Sequence, residues 1–222
     1  MRRRLMRIYH RLYRRLGPQG WWPGRSRFEV IVGAILTQNT NWGNVEKAIR
    51  RLRRARVLTP PGMSALSHRR LTELIRPAGY FAVKAQRLQN FLTFLRKGYG
   101  GSLNRMFREE PARLREALLR VSGIGPETAD SILLYAGGMP VFVVDAYTKR
   151  IFSRHRLIPN QSSYHEVQTL LMNHLPRDVK LYNEYHALLV SVGKAYCRST
   201  PRCDSCPLRW DLEYHGIPLP KR

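Results

Sequence analysis

Two helix-compatible stretches meet at Gly123-Ile124-Gly125, and a joint this short obliges the chain to fold back on itself. Before the joint, Pro111–Val121 sets Leu114, Leu118 and Val121 on one helical face, with Pro111 suited to a first turn. After it, Glu127–Ala136 reads as a second helix. The two glycines are predicted to take positive φ and to leave no side chain in the way. The turn can then press its N–H groups on a phosphate at the positive N-terminal end of the second helix. Ile124 is expected to plug the angle between the helices, and Thr128 to offer a hydroxyl to the same phosphate. Taken alone, a Gly-x-Gly joint is equally an ordinary helical hairpin.

The rest of the chain is also predicted to be helical. Arg2–Leu16, Asn44–Leu52, Ser67–Arg76, Val83–Lys97, Leu103–Phe107, Ser163–Leu175 and Asn183–Lys194 carry helical spacing, and a further helix starts at Ala146. Phe28–Thr37 is an apolar run that periodicity cannot assign to strand or buried helix. Phe142–Val144 is short and extended. No alternating run is long enough to build a sheet, so the expected class is all-α.

Charge narrows the partner. The 222 residues hold 39 Lys+Arg against 15 Asp+Glu, a formal net charge of +24, with an ordinary 43 % of hydrophobic residues. This is a folded protein whose surplus charge calls for a polyanion, most simply nucleic acid, rather than a handler of cationic substrates. Residues 1–28 contain nine arginines and no acid, and Lys47–Arg56 contains six basic residues in ten. Anionic lipid is the rival polyanion, but no anchor signal accompanies the charge. Neither Phe28–Leu36 nor Ile132–Val144 approaches the roughly 20 apolar residues of a membrane span, and the basic start lacks the apolar core of a secretory signal. Composition predicts a cytoplasmic binder of a polyanion.

Downstream of the hairpin, a Gly/Pro loop leads into Val143-Val144-Asp145-Ala146. An Asp in front of a helix is ordinarily an N-cap. Together, Val-Ser-Gly-Ile-Gly-Pro-Glu-Thr-Ala, the loop and Val-Asp resemble the helix-hairpin-helix base-excision glycosylases. Over nearly the whole chain the likeness is to endonuclease III-like members. It extends to Ala34-Ile-Leu-Thr-Gln-Asn-Thr, to Gly79-Tyr-Phe-Ala-Val-Lys-Ala and to the C-terminal cysteines. The resemblance implies a nucleoid-associated monomer that acts on double-stranded DNA, and a two-lobed fold. A six-helix barrel over residues 28–135 would end in the hairpin. Residues 1–27 and 136–222 would form the second lobe, with the Asp145 cleft between the two. It also implies that Asp145 is the essential acid, that Gly123, Ile124, Gly125 and Thr128 hold DNA, and that Gln38 fills the gap left by a flipped base. The plain alternative for Gln38 is a helix-end amide bonded to local backbone.

Bifunctional relatives carry a lysine two residues after the second hairpin glycine, where this chain has Glu127. A carboxylate cannot form a Schiff base. The resemblance therefore points to a monofunctional glycosylase that leaves an abasic site, with Lys149 and Lys194 as the remaining candidates for a lyase. The nearest likeness is to 3-methyladenine glycosylases of the endonuclease III type, which share Leu-Thr-Gln-Asn-Thr and Asn183-Glu-Tyr-His186-Ala. It implies an alkylated purine as the base and Trp42, Tyr80, Phe81 and His186 as pocket candidates, each also readable as a packing residue. A uracil or thymine mismatch glycosylase, an oxidised-pyrimidine glycosylase with or without lyase activity, and a non-catalytic DNA-binding module are the alternatives.

All three cysteines lie in one loop, Cys197, Cys203 and Cys206, within residues 196–212. They resemble the iron–sulfur loop of the endonuclease III group, less its fourth cysteine, whose position is Leu212. Three outcomes stay open: a 4Fe-4S cluster with a non-cysteine fourth ligand, a zinc site completed by His215, or no metal. Asp211 and His215 are the nearby donors.

Overall fold

The structure, a computed structural model, describes residues 1–219 and divides the chain into two compact units. One comprises Met1–Trp21 and the chain from Pro140 onward; the other is Trp22–Met139. Among the described residues the regular structure is all helical.

The first unit begins with α1 (Arg2–Leu16), whose buried Leu5, Ile8 and Leu12 lie on one face. The chain then enters the second unit. Ser26 caps α2 (Arg27–Leu36) by accepting the Glu29 N–H at 3.1 Å. Every residue from Phe28 to Leu36 is buried. That surrounds-on-all-sides burial is why no apolar stripe distinguished helix from strand in the sequence; the cap and the ten-residue length decide for helix. Helices α3 (Trp42–Arg54) and α6 (Phe81–Tyr99) pack against α2, and α4 (Pro60–Ser64), α5 (His68–Ile75) and α7 (Leu103–Met106) pack on α6. Arg53 on α3 reaches Glu29 on α2 at 2.6 Å. The hairpin closes the unit: α8 (Pro111–Leu119) and α9 (Pro126–Ser131), which runs on as a π-helical turn through Ile132–Ala136. Short α4, rich in proline and glycine, has no periodicity from which it could be read.

Back in the first unit, buried Val141–Val144, without regular structure, leads to α10 (Ala146–Arg154). Next come α11 (Tyr164–His174), opened by a Ser163/Glu166 capping box, and α12 (Val179–Ala195), capped by Asp178. The cysteine loop and α13 (Arg209–Tyr214) follow. Helix α12 is the spine of this unit, with α1 and α10 packed on it. Gly193 makes the α10 contact possible, because a Cβ there would lie 2.3 Å from Cδ1 of Tyr147. One buried carboxylate ties three segments together. Asp211 accepts from Arg4 Nε and Nη2 at 3.0 and 2.7 Å and pairs with His155 Nδ1 at 2.7 Å. Burial pushes its carboxyl up, but His155 and Arg4 outweigh that and bring it to about 2.

Candidate active site and nucleic-acid interface

In the hairpin, Gly123 has φ 91, and a Cβ there would lie 2.3 Å from Cγ of Arg87, so this position requires glycine on two counts. Gly125 differs from the expectation. It is the N-cap of α9 with extended backbone, φ −92 and ψ 179, and space for a Cβ is open. Its value is therefore clearance in front of the helix rather than a left-handed turn. Ile124 is buried, as a plug must be, and its N–H is spent inside the turn on the Val121 carbonyl at 3.0 Å. Across the two helices Arg115 grips the buried Asp130 with both nitrogens, at 2.6 and 3.0 Å, which fixes the hairpin angle.

Three of the residues singled out for DNA come together here. Gln38 Nε2 donates to Thr128 Oγ1 at 2.8 Å and to the Gly123 carbonyl at 3.2 Å, while Arg87 Nη1 donates to Gln38 Oε1. The Gln38 amide is thus docked on the hairpin, and the buried Thr128 hydroxyl orients it. Neither Arg87 nor this link was read from the sequence, since the segments lie far apart in the chain.

The other aromatic candidates of this unit have separate settings. The Trp42 ring meets Trp22 edge-on at 5.3 Å, and its Nε1 donates to Glu46 at 2.9 Å. Phe81 opens α6, with Arg76 over its ring at 5.8 Å. Tyr80 is 72 % exposed at φ 45, a left-handed conformation that a tyrosine rarely takes. Beneath it the buried Lys84 ammonium donates to the Ala78 carbonyl at 2.7 Å and holds the turn in shape; burial, with Arg87 nearby, pushes that lysine down to about 8.

The carboxylate group belongs to the other unit. Asp145 caps α10, its Oδ1 accepting the Thr148 N–H at 2.7 Å, and its Oδ2 lies 3.7 Å from His186 Nε2 on α12. Burial raises the Asp145 carboxyl, but His186 and the Thr148 N–H outweigh it, and the net shift is downward. So this is a buried carboxylate held ionised. The aromatic that stacks on His186 is Trp21, with centroids 5.7 Å apart and planes at 27°, and Lys194 Nζ stands 5.8 Å from the Trp21 ring centre. Trp21 was not among the site residues singled out from the sequence, because no local pattern signals its stack on His186. Glu127, in the lysine position of bifunctional relatives, is exposed on α9, and Lys149 lies in the first turns of α10.

In the cysteine loop, Cys197, Cys203 and Cys206 line one small cavity together with Arg154, His155 and Leu212. Among the described residues no three His, Cys, Asp or Glu side chains converge as ligands of a single ion. Arg154 Nη1 and the Leu208 N–H point at the Cys197 and Cys206 sulfurs, 3.3 and 3.5 Å away. Burial pushes the Cys206 thiol up to about 11 and raises Cys203 as well. The proposed fourth donors fail on geometry. Asp211 is committed to Arg4 and His155, His215 Nε2 faces Asp211 at 3.6 Å, and neither lines the cavity. Leu212, apolar, does.

Residues 32–177 match the HhH-GPD superfamily of base excision DNA repair proteins. The chain is 45% identical over 212 residues to a Methanocaldococcus jannaschii protein described as a candidate DNA repair glycosylase, covering 92% of this chain and 94% of that one. The crystal structure of Helicobacter pylori 3-methyladenine DNA glycosylase bound to 1,N6-ethenoadenine superposes with a TM-score of 0.73 at 29% identity, over 86% of this chain and 97% of that chain. A non-covalent endonuclease III–DNA complex superposes with a TM-score of 0.80 at 23% identity, over 97% of this chain and 99% of that chain, a likeness of fold. The chain belongs to the HhH-GPD superfamily and, within it, to the endonuclease III-like DNA glycosylases of base excision repair.

Proposed function

We propose that the protein is a monofunctional glycosylase that flips a damaged base from duplex DNA and hydrolyses its N-glycosidic bond, the base being an alkylated purine such as 3-methyladenine. The observation that carries this reading is the grouping of Asp145, His186 and Trp21 in one unit. As the C1′–N bond breaks, its electron pair leaves with the base and positive charge builds on the sugar. A buried carboxylate already ionised is suited to stabilise that charge. The same lowered pKa makes Asp145 a weak proton acceptor, so it orients the attacking water more than it deprotonates it.

Trp21 stacked on His186 offers a flat aromatic face, and cationic alkylated purines are attracted to such faces. They also leave without strong acid assistance, which matches a site whose carboxylate is held charged. The 29% identity to a 3-methyladenine glycosylase supports the same base class. The hairpin would hold a backbone phosphate in front of α9, with Gly123, Ile124 and Gly125 forming the turn and no base specificity in the contact. In this reading Gln38 is the gap filler and leaves its bonds to Gly123 and Thr128 when DNA binds. The Tyr80 ring, exposed on a strained turn, is a second candidate for contact with the bases.

Cys197, Cys203 and Cys206, which line one cavity and receive N–H donors at two of the sulfurs, are the residues that would hold a 4Fe-4S cluster, with Leu212 standing where a fourth cysteine would. When bound, the cluster would supply a rigid tie for the loop, and the chemistry at Asp145 uses none of it. His215, which faces Asp211 and does not line the cavity of the three cysteines, speaks against a zinc site.

One observation favours a lyase instead: Lys194, on the same helix as His186, stands over Trp21. The deciding experiment is single-turnover release of 3-methyladenine from duplex DNA by the wild type and Asp145→Asn. Release by the wild type and its loss in the variant support the reading. Equal release by both sinks it. Borohydride trapping of a covalent DNA adduct that Lys194→Gln abolishes would select the lyase.

A further inference from the structure

Helix α1 carries seven arginines, of which, among the described residues, only Arg4 is paired with a carboxylate, Asp211 at 2.7 Å. Arg3, Arg7, Arg11 and Arg14 recur at steps of four, four and three, which places them in one stripe on the face opposite Leu5, Ile8 and Leu12. Two of the four lie over aromatic rings from α13. Arg7 lies 4.9 Å from the Tyr214 ring centre and 5.9 Å from that of Trp210, and Arg11 lies 5.2 Å from Trp210. Stacking of this kind fixes guanidinium planes while leaving their N–H edges outward.

Beside the stripe runs an open groove of about 630 Å³. Arg11, Arg14 and Arg15 form one wall, and Ser205, Pro207 and Trp210 contribute to the other. The carboxylates in that groove, Asp204 and Glu213, are taken by Arg209 at 3.2 and 2.6 Å. The α1 arginines are left as its surplus charge.

Stability does not account for this helix. Like charges four residues apart repel, and Arg2, Arg3 and Arg4 stand at the N-terminal end, against the helix dipole, with no acid in the first turn. A bound polyanion relieves both. From Arg3 to Arg14 the helix rises about 17 Å, the axial length of roughly five phosphates on one DNA strand. We propose that the outer face of α1, with the groove beside it, is a second duplex-DNA backbone site, distinct from the hairpin and blind to sequence and damage. It gives part of the net charge of +24 a partner that the hairpin, which works through backbone N–H groups, does not require.

The test is the salt dependence of binding to an undamaged duplex, which does not depend on the base-release reading. The fourfold variant Arg3→Gln, Arg7→Gln, Arg11→Gln and Arg14→Gln is compared with a control that loses the same charge elsewhere, Arg69→Gln, Arg70→Gln, Arg96→Gln and Arg108→Gln. The slope of log K against log salt should fall by about 3.6 in the stripe variant, from four phosphate contacts at 0.9 each, and by less than 1 in the control. Single-turnover base release at saturating enzyme should be unchanged. Equal slopes in the two fourfold variants would overturn the proposal. Should the stripe variant melt early, the pair Arg11→Gln and Arg14→Gln should lower the slope by about 1.8, and no change there overturns it too. Arg7→Lys with Arg11→Lys, which keeps charge and loses the stacking geometry, should keep the slope.

Discussion

The hairpin and the Asp145 group are built on opposite principles. The hairpin is made of consecutive residues, with Gly123 at φ 91 as the position where conformation dictates the residue, and in the proposed reading it acts through its backbone. The Asp145 group is made of side chains from three distant segments, the cap of α10, α12 and the loop after α1, and in that reading it acts through charge and ring faces. On the function proposed above, the hairpin's part depends on its turn geometry and the Asp145 group's part on side-chain charge, so holding DNA and opening a glycosidic bond are expected to be separable by mutation.

The largest separation is expected at Asp145. Asparagine keeps the N-cap on Thr148 and removes the charge, so the single-turnover rate should drop at least about a hundredfold with DNA affinity unchanged. A parallel loss of affinity would mean that Asp145 serves the fold instead. At Gly193, alanine would thrust a Cβ to within 2.3 Å of Tyr147 and push α10, and Asp145 with it, off α12. Overpacking of this kind costs about 1–3 kcal/mol. Thermal melting should fall by several degrees and the rate by roughly tenfold. A wild-type rate would show that Asp145 is insensitive to the α10 seat.

Gly123→Ala reverses the pattern. The strained φ and the collision with Arg87 should weaken duplex binding about tenfold, read by anisotropy titration, while the saturating rate stays near wild type. A fall in the saturating rate with affinity intact would erase the division of labour. The smallest effect concerns the frame of the Asp145 unit. The Asp211 carboxyl sits at about 2 in the fold against 3.8 ordinarily, so its stabilisation is complete above about pH 4 and is lost as pH falls toward 2. That amounts to roughly 2 kcal/mol, and Asp211→Asn should remove this part of the acid dependence in denaturant titrations.

What the sequence disclosed follows the same division. The hairpin, the capping Asp145 and the helices with one apolar face were legible because their signals are local. Helix α2 was ambiguous because burial on every side erases periodicity, and α13 was missed because six residues carry too little of it. The positive φ expected at Gly125 was wrong because a helix N-cap takes extended backbone. The stacking of Trp21 on His186, the docking of Gln38 by Arg87 and the commitment of Asp211 to Arg4 and His155 are long-range pairings, and no spacing rule reports those.

The most direct test of the central claim follows a duplex with a single 3-methyladenine through one turnover and analyses the products before and after alkali. The account predicts free base, an intact strand before alkali and a cut strand after it. No released base, or strand scission without alkali, would contradict it.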